Sequence, residues 1–537
     1  MSLRPQPAIT VVLLVVASAV LVAHSLLFDF ITDDAFISFV YARNLVRHGE
    51  LVFNLGERVE GYTNFLWTML IALGLHLGVP AEISCRVLGV LFGGLTLWAC
   101  AAASRQLRDP NGPYAPDDAL PALLLCGMPG YACWSSGGLE TQLFTMLCSL
   151  GAFTYLREQD HNRSPLASAT LFGLAALTRP EGYLFFGLTV LHRAGGRVLG
   201  ATRGGGWRAL LPSRAEWRWG ALFLLLTVPH LAFRRWYYGD WVPNTFYIKS
   251  SSIGGAWQQG GYYLLLFCRE QKVWLLPPLA TGGLLVAGPR RRQLAAALGY
   301  MTLLSVVFLI YVAAVGGDFM GLHRFVLPIV PGWAVLGAVG LLRVLRAAVR
   351  PLWARGLVLI ALLVLYGVNT WQVDRRALSF VGADHGIDTP AYLRHFAADR
   401  AAIGRWLGQH AQPDDYQVVG GAGAQVYYAG IRALDSFGLC DAYVARHVPP
   451  TSVRPGHQKF APLSYVLSRK PTIITYNVYR IGDEPYRPSP EEARMWREHG
   501  FHFVSVQIPG LSRPWYSFLK RVDRRLGPLP PADEMDP

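Results

Sequence analysis

Long apolar runs, separated by short polar segments, occupy the first two-thirds of the chain. A helix of about 20 apolar residues crosses the roughly 30 Å hydrocarbon core of a bilayer. We predict eleven membrane-spanning helices, at 9–30, 85–104, 120–134, 139–156, 165–178, 182–193, 219–237, 273–288, 293–314, 324–342 and 355–371. The helix at 182–193 is short, and we expect it to extend further. The pattern predicts an α-helical polytopic membrane protein.

Three further segments have helical periodicity but do not fit as crossings. The run 64–78 has about 15 residues, which is short for a span. Counting it as a crossing would also reverse the side of every later loop. At 35–48 apolar and polar positions alternate with helical spacing, and 257–267 is a similar stretch. We predict three juxtamembrane helices at these positions.

The composition changes after residue 371. From 372 to 537 the chain is polar, charged and interrupted by prolines. Strand-like runs at 416–420, 472–478 and 501–508 alternate there with helical stretches at 390–410 and 490–499. We therefore predict a membrane core at 1–371 and a small C-terminal α/β domain at 372–537.

The net charge of +14 is informative because of where the basic residues lie along the chain. An excess of basic residues is compatible with nucleic-acid binding, but here the arginines lie in short loops between apolar runs, as in 193–218 and 290–292. Basic loops stay in the cytosol. We therefore predict a cytosolic N-terminal end, an extracytoplasmic C-terminal domain, the lipid bilayer as a partner, and no nucleic acid.

Two adjacent aspartates, Asp33 and Asp34, follow directly after the first apolar run, on the predicted outer face. One interpretation is structural: Thr32 or Asp33 would cap the helix that follows, since acids favour a helix N-terminus. The other is chemical. A carboxylate at a partly desolvated membrane edge has a raised pKa, which suits a general base that takes a proton from a sugar hydroxyl. The pair by itself leaves both interpretations open.

Other polar groups in predicted outer segments favour the chemical interpretation. Taken singly, each is explained as a solvated loop residue or as a cation that reaches past the membrane edge. Taken together, the cations among them would neutralise the phosphate of an anionic lipid. The candidate binding residues are Glu60, Tyr62, Glu140, Arg179, Glu181, Asn244, Lys249, Asp318, His323 and Arg324.

Motifs for other chemistries are absent from the sequence. There is no HExxH, P-loop, GxSxG or CxxC, and the glycines at 420–423 break the GxGxxG spacing. We predict no metal-ligand residues and no required cofactor. The sequence does not decide whether a Mg²⁺ or Mn²⁺ ion takes part.

Residues 32–67, TDDAFISFVYARNLVRHGELVFNLGERVEGYTNFLW, resemble the first outer loop of GT-C glycosyltransferases, which use polyprenyl-phosphate sugars. The resemblance is strongest to the mycobacterial-type terminal arabinofuranosyltransferase family, and it continues in GLET, TRPEGY, GDWVPNTFYIK and GGDFMGLHRFVLPIVP. It implies a multi-pass protein of the bacterial inner membrane with an active site on the outer face. Arabinofuranose is a candidate sugar and a cell-envelope glycan the acceptor.

By motif position, the resemblance places the catalytic acid at Asp33 or Asp34, with Asp33 favoured. It implies donor contacts at Arg179, Glu181, Asn244, Lys249, Asp318 and Arg324. The loop 193–218 and the C-terminal domain depart from the family pattern, which leaves the acceptor and the donor sugar open.

Two other classes compete with a transferase. A transporter or lipid flippase is also polytopic, but it predicts broken helices and charges near the bilayer midplane. Here the ionisable residues gather at the predicted outer boundary. A non-catalytic polysaccharide-binding factor would depend on tyrosines of the C-terminal domain, such as Tyr427 and Tyr443.

Overall fold

Helices account for most of the chain up to residue 379. The structure is a computed structural model that describes residues 7–160, 166–200, 202, 207–249, 255–452, 454, 456–476 and 478–531, with the side chains of 160, 200, 208, 209 and 249 outside that description. The helices of this part are α1 Pro7–Phe28, α2 Asp33–His48, α3 Phe65–His76, α4 Ala81–Arg108, α5 Leu120–Cys126, α6 Pro129–Ser136, α7 Thr141–Asp160, α8 Leu166–Thr178, α9 Glu181–Gly200, α10 Arg214–Tyr238, α11 Asn244–Lys249, α12 Ala256–Gln271, α13 Leu276–Leu285, α14 Arg291–Ala314, α15 Val330–Ala348 and α16 Leu352–Ser379.

Within the described residues, five helical units are long and apolar enough to cross a membrane. They are α1, α4, α14, α16, and the unit Arg324–Ala348, in which a 3₁₀ turn leads into α15. The apolar window of Arg324–Ala348 is 89% buried in the protein, whereas that of α16 is 0% buried. The α15 unit is therefore central and α16 peripheral. The count of eleven crossings remains a prediction.

The predicted span 120–134 is not one helix. Gly127 follows the end of α5, and Pro129 begins α6. Proline has no backbone N–H and its ring clashes with the preceding turn, so it interrupts a helix and is accepted at the first helical position. This chemistry divides the apolar run into two short helices.

The three segments with helical periodicity are confirmed as helices α2, α3 and α12. In α2 the apolar face, which includes Phe36, Phe39 and Val40, is buried. The helix ends at Gly49, whose φ of 73° is left-handed and whose N–H bonds to Leu45 O at 3.0 Å. Such a conformation favours glycine because it has no Cβ.

The C-terminal part is an α/β unit, as predicted. Its helices are α17 Pro390–His410, α18 Ala424–Ala429, α19 Ala442–His447, α20 Leu463–Ser468 and α21 Pro490–Glu498. A short hairpin of β1 Ala383–Asp384 and β2 Ile387–Asp388 precedes them. The main sheet contains β3 Tyr416–Val419, β4 Arg432–Asp435, β5 Ile473–Ile474, β6 Arg480–Gly482, β7 Phe501–Gln507 and β8 Trp515–Arg521.

The order of strands in the main sheet is β4-β3-β5-β8-β6, with β7 also paired to β8. β3 is parallel to β4 and β5, and β8 is antiparallel to its partners. Helix α16 continues past residue 371, so the predicted domain boundary falls inside this helix.

The C-terminal unit packs on one end of the helical part. Asn54 and Ala433 exchange two hydrogen bonds, of 2.9 and 3.0 Å. Glu57 accepts from Arg469 at 2.6 Å, and Gly321 N–H donates to Asp388 O at 2.8 Å. These contacts involve separate loops of the helical part. The C-terminal unit is therefore attached to this end of the helical part at several points.

Candidate active site at the domain junction

Asp33 lies in the first turn of α2 and is buried against the C-terminal unit. Its Oδ1 accepts from the backbone N–H of Ala424 at 2.8 Å, and its Oδ2 accepts from that of Gly423 at 3.2 Å. Burial raises the pKa of the Asp33 carboxyl, while the two amides and the charge of Arg400 act in the opposite direction. This carboxylate is held by residues about 390 positions away in the chain.

The capping interpretation of the aspartate pair does not describe this contact. Thr32 occupies the N-cap position of α2, and no side chain caps the helix there. Asp33 bonds to the C-terminal unit instead of to its own helix. Asp34 is less buried than Asp33, and it points in a different direction because it is the next helical position. The two acids therefore have different surroundings.

A second cluster forms around Arg179, which lies between α8 and α9. Its Nη1 donates to Glu140 Oε1 at 2.6 Å, and its Nε and Nη2 donate to Glu181 at 3.1 and 2.9 Å. Glu140 immediately precedes α7, and Glu181 is the first residue of α9. Tyr311 of α14 also donates to Glu181, at 3.3 Å. Four helix ends thus meet at one guanidinium group.

Arg324 forms the other cation of this cluster. Its Nε donates to Asp318, and its two terminal nitrogens donate no hydrogen bond to the described residues. A narrow cleft of about 10 Å³, about the space of one water molecule, lies beside Arg179 and Arg324, with Phe308 and Phe325 in its walls. The cluster contains two arginines against three acids, counting Glu140, Glu181 and Asp318.

Hydrogen bonds connect the cluster to α2. Ser38 of α2 donates to Asn64 Oδ1 at 3.1 Å, and Asn64 Nδ2 donates to Glu140 Oε2 at 2.8 Å. The N–H of Thr32 donates to Gly137 O at 3.1 Å. The cluster is therefore hydrogen-bonded to α2, the helix whose first turn carries the aspartate pair.

Glu60 and Tyr62 lie elsewhere in the same end of the protein. Glu60 accepts from Arg234 of α10 at 2.6 and 3.1 Å, and burial raises its pKa against the effect of that arginine. The hydroxyls of Tyr62 and Tyr238 are 3.2 Å apart. Neither residue lines the cleft beside Arg179, and their role in donor binding remains a prediction.

Asn244, at the start of α11, binds the C-terminal unit. Its Nδ2 lies 2.8 Å from Gly438 O, 3.0 Å from Leu439 O and 3.2 Å from Asp441 O. Lys249 ends the same helix, and its side chain lies outside the described residues.

We expect Asn244→Ala to loosen the C-terminal unit, because three buried carbonyls lose their shared donor at a cost of about 1–3 kcal/mol. Limited proteolysis between residues 380 and 450 measures this. Cleavage should be several-fold faster than in the wild type. Equal cleavage rates would show that the amide does not hold the unit.

His323 is fully buried and adopts a left-handed φ of 61°. Its ring centroid lies 5.0 Å from that of Tyr263 and 5.6 Å from that of Phe267. Burial lowers the pKa of His323 to about 3, so the ring is neutral at physiological pH. Its aromatic surroundings are those of a packed side chain, and its role in donor binding remains a prediction.

Sequence reasoning missed several residues of this region. Asn64, Arg234 and Arg400 were not singled out, although each contacts or faces a predicted site acid. The glycines at 420–423 also belong to the segment GGAGAQVYYAGIRALDSFGLCD, to which the family resemblance extends, but the sequence predicted no contact between them and Asp33. Their density was the signal, since glycine permits close approach of another backbone. No group of three or more His, Cys, Asp or Glu among the described residues could hold a metal ion.

The fold is that of a class of membrane glycosyltransferases, GT-C, as expected. The crystal structure of ArnT from Cupriavidus metallidurans bound to undecaprenyl phosphate matches with a TM-score of 0.58 and 15% identity, covering 95% of this chain and 97% of ArnT. The crystal structure of the same ArnT in the apo state matches with a TM-score of 0.59 and 16% identity, again covering 95% of this chain and 97% of ArnT. At this identity the likeness establishes the fold alone.

Two curated relatives, from Mycobacterium tuberculosis and Corynebacterium glutamicum, are both named terminal beta-(1->2)-arabinofuranosyltransferase. The first is 29% identical over 280 residues, which cover 49% of this chain and 42% of the relative. The second is 28% identical over 341 residues, which cover 56% of this chain and 46% of the relative. The match thus spans less than half of each relative. Residues 391–519 match a family described as "Domain of unknown function (DUF8728)".

Proposed function

We propose that the protein is a glycosyltransferase that moves a sugar from a polyprenyl-phosphate donor to a cell-envelope glycan. Arabinofuranose is the leading candidate for the sugar, on the strength of the names of the two curated relatives. One observation carries the proposal: the helix that carries the buried carboxylate of Asp33 is hydrogen-bonded to the cluster of Arg179 and Arg324, within a GT-C fold.

In this proposal the Asp33 end faces the extracytoplasmic side, and the core of residues 1–371 crosses the membrane eleven times. Arg108, Arg343 and Arg346 support this orientation, because they come from predicted cytosolic loops and line one cavity. Arg324 lies ahead of the start of α15, and Arg346 lies near its end. A helix of this length spans about 28 Å, so the basic cavity and the cleft lie on opposite sides. Residues 372–537 are then extracytoplasmic.

The reaction proceeds by direct displacement. The lipid tail of the donor lies in the bilayer, and its phosphate binds at the mouth of the cleft beside Arg324, whose terminal nitrogens carry four N–H donors. Asp33 removes the proton of the acceptor hydroxyl, and the hydroxyl oxygen bonds to the anomeric carbon. The bond from that carbon to the phosphate oxygen breaks, and polyprenyl phosphate leaves with the electron pair.

The two arginines have different roles in this mechanism. Arg179 donates three hydrogen bonds to Glu140 and Glu181, which use much of its capacity and hold four helix ends together. Arg324 uses only Nε in bonds to described residues. We therefore assign phosphate contact to Arg324 and scaffolding to Arg179. The acids of the cluster exceed its cations by one, and the phosphodiester of the donor adds one more negative charge, so a neutral complex requires two further positive charges.

A panel of labelled polyprenyl-phosphate sugars tests the proposal. Purified protein would be incubated with donors that carry a pentose, a hexose or an amino sugar, together with envelope glycan as acceptor. We expect label in the glycan with at least one donor, and polyprenyl phosphate released in step. Label that stays on the lipid with every donor, in protein shown to be folded, would contradict a transferase.

A further inference from the structure

The contact between Asp33 and the C-terminal unit points to a role for that unit in the reaction itself. We propose that Gly421 and Gly423, the first amide of α18 and the side chain of Arg400 together position the Asp33 carboxylate. The active site is then assembled from both parts of the chain. This inference rests on the proposed function and assigns a role to a region that includes residues 391–519.

The glycines permit this contact because a side chain would not fit. A Cβ on residue 423 would lie 1.9 Å from the carbonyl oxygen of Asp33 and 2.8 Å from its Cγ. A Cβ on residue 421 would lie 2.9 Å from Asp33 Oδ2 and 3.1 Å from the Phe396 ring. By contrast, a Cβ on residue 420 would not meet Asp33, and its nearest neighbour would be a ring carbon of Tyr476 at 3.1 Å. Close approach to Asp33 thus requires glycine at 421 and 423.

Arg400 of α17 supplies a buried cation behind these amides. Its Nη1 donates to Gln425 Oε1 at 3.1 Å, and its Cζ lies 4.2 Å from the ring centroid of Tyr479 and 5.0 Å from that of Phe396. Among the described residues no carboxylate forms an ion pair with it. A buried cation without a contacting acid is costly, and the Asp33 carboxylate is the acid on which its charge acts.

Gln425 connects Arg400 to the amides. Its Nε2 donates to Gln417 Oε1 at 3.0 Å and to Thr475 Oγ1 at 3.3 Å, so the side chain is fixed on the sheet. Residue 425 directly follows Ala424, whose N–H holds Asp33 Oδ1. The orientation of the carboxylate is thus determined by the sheet of the C-terminal unit.

This geometry is suited to a general base. Each carboxylate oxygen has two lone pairs, and each accepts one amide N–H here, so one lone pair on each oxygen remains for an acceptor hydroxyl. A Cβ at residue 421 would come within 2.9 Å of Oδ2 and 3.1 Å of the Phe396 ring, so glycine at this position leaves the carboxylate undisturbed in its orientation.

Other titratable or charged groups lie on the elements that pack against the start of α2. None of the substitutions below alters them, so they contribute equally to the wild type and to the variants. These groups are Asp34 on α2 itself, His76 on α3, Tyr392, His395 and Asp399 on α17, Tyr427 and Tyr428 on α18, Glu140 after α6, and Asp318 and Arg324 beside Met320.

The pH dependence of kcat/KM tests the positioning role of Arg400. A general base must be deprotonated, so the acid limb of the profile follows the pKa of Asp33. In Arg400→Gln the cation is lost, the pKa of Asp33 rises, and the acid limb should move to higher pH by about one unit. Arg405→Gln, an exposed arginine on the same helix, should leave the limb in place. Lower activity with an unmoved limb would overturn the proposal.

Glycine variants provide a test that does not depend on the folding of Arg400→Gln. Gly421→Ala should lower kcat at least tenfold, because the added Cβ displaces the Asp33 carboxylate, whereas Gly420→Ala should change kcat far less because its Cβ does not meet Asp33. An unchanged kcat in Gly421→Ala would overturn the positioning role of the glycines. Failure of the proposed function has a different signature, because the wild-type protein itself would then transfer no sugar. If Asp33→Asn were inactive while Gly421→Ala and Arg400→Gln behaved like the wild type, the positioning role would be rejected and the proposed function would stand.

Discussion

Asp33→Asn should reduce sugar transfer by about 100-fold or more, the usual contribution of a general base. An amide cannot accept the proton of the acceptor hydroxyl. In addition, the side chain keeps only one oxygen, so its NH₂ group would face one of the two backbone N–H donors of Gly423 and Ala424. The measurement is the initial rate of label transfer at saturating donor.

Asp34→Asn is the matched control for this prediction. Asp34 is adjacent in sequence and equal in charge, but it is less buried and lies at the next helical position. We expect it to lose less than tenfold in rate. A transfer rate near that of the wild type in Asp33→Asn would contradict the assignment of the base, and a large loss in Asp34→Asn alone would move the assignment to Asp34.

Arg179→Met should strongly destabilise the fold. The side chain of Arg179 is 12% exposed, and those of Glu140 and Glu181 are 4% and 8% exposed. Removal of the arginine leaves two buried carboxylates without their cation, and breaking a buried pair costs about 3–5 kcal/mol. Thermal unfolding in detergent should therefore begin at a clearly lower temperature than in the wild type.

The control for Arg179→Met is Arg346→Met. Arg346 pairs with Asp117, but the two side chains are 45% and 37% exposed. Exposed pairs contribute about 0–1 kcal/mol, so this variant should unfold close to the wild type. Equal unfolding temperatures for both variants would show that the Arg179 cluster does not hold the helix ends together.

The sequence allowed elements to be predicted where local patterns decide them. The periodicity of 35–48 predicts α2, and strand-like runs predict the positions of β3 and β7. One local rule was underused, since Pro129 divides the predicted span 120–134. The number of crossings could not be checked by length and hydropathy alone, because several predicted spans are short or carry polar side chains.

The candidate site was predictable in its residue types but not in its pairings. Polar residues between apolar runs pointed to Glu140, Arg179 and Glu181 before their ion pairs were visible. The contact of Asp33 with Gly423 joins positions 390 residues apart in the chain. Local patterns of apolar and polar residues do not predict contacts at such a sequence separation. The same holds for Asn244, which binds carbonyls of the C-terminal unit through three-dimensional proximity.

The resulting view of the C-terminal unit differs from that of an attached binding module. Its backbone amides hold Asp33, and its loops are bonded to Asn54 and Asn244 of the helical part. Removal of the unit would leave the Asp33 carboxylate without both amide donors and without Arg400.

The central claim is most directly tested by mass balance in liposomes. The protein would be reconstituted with a donor labelled in both its sugar and its lipid, and with acceptor glycan outside. We predict equal amounts of glycosylated acceptor and sugar-free polyprenyl phosphate, and neither product with Asp33→Asn. Movement of intact donor across the bilayer, with no sugar joined to the acceptor, would contradict the account and identify a transporter.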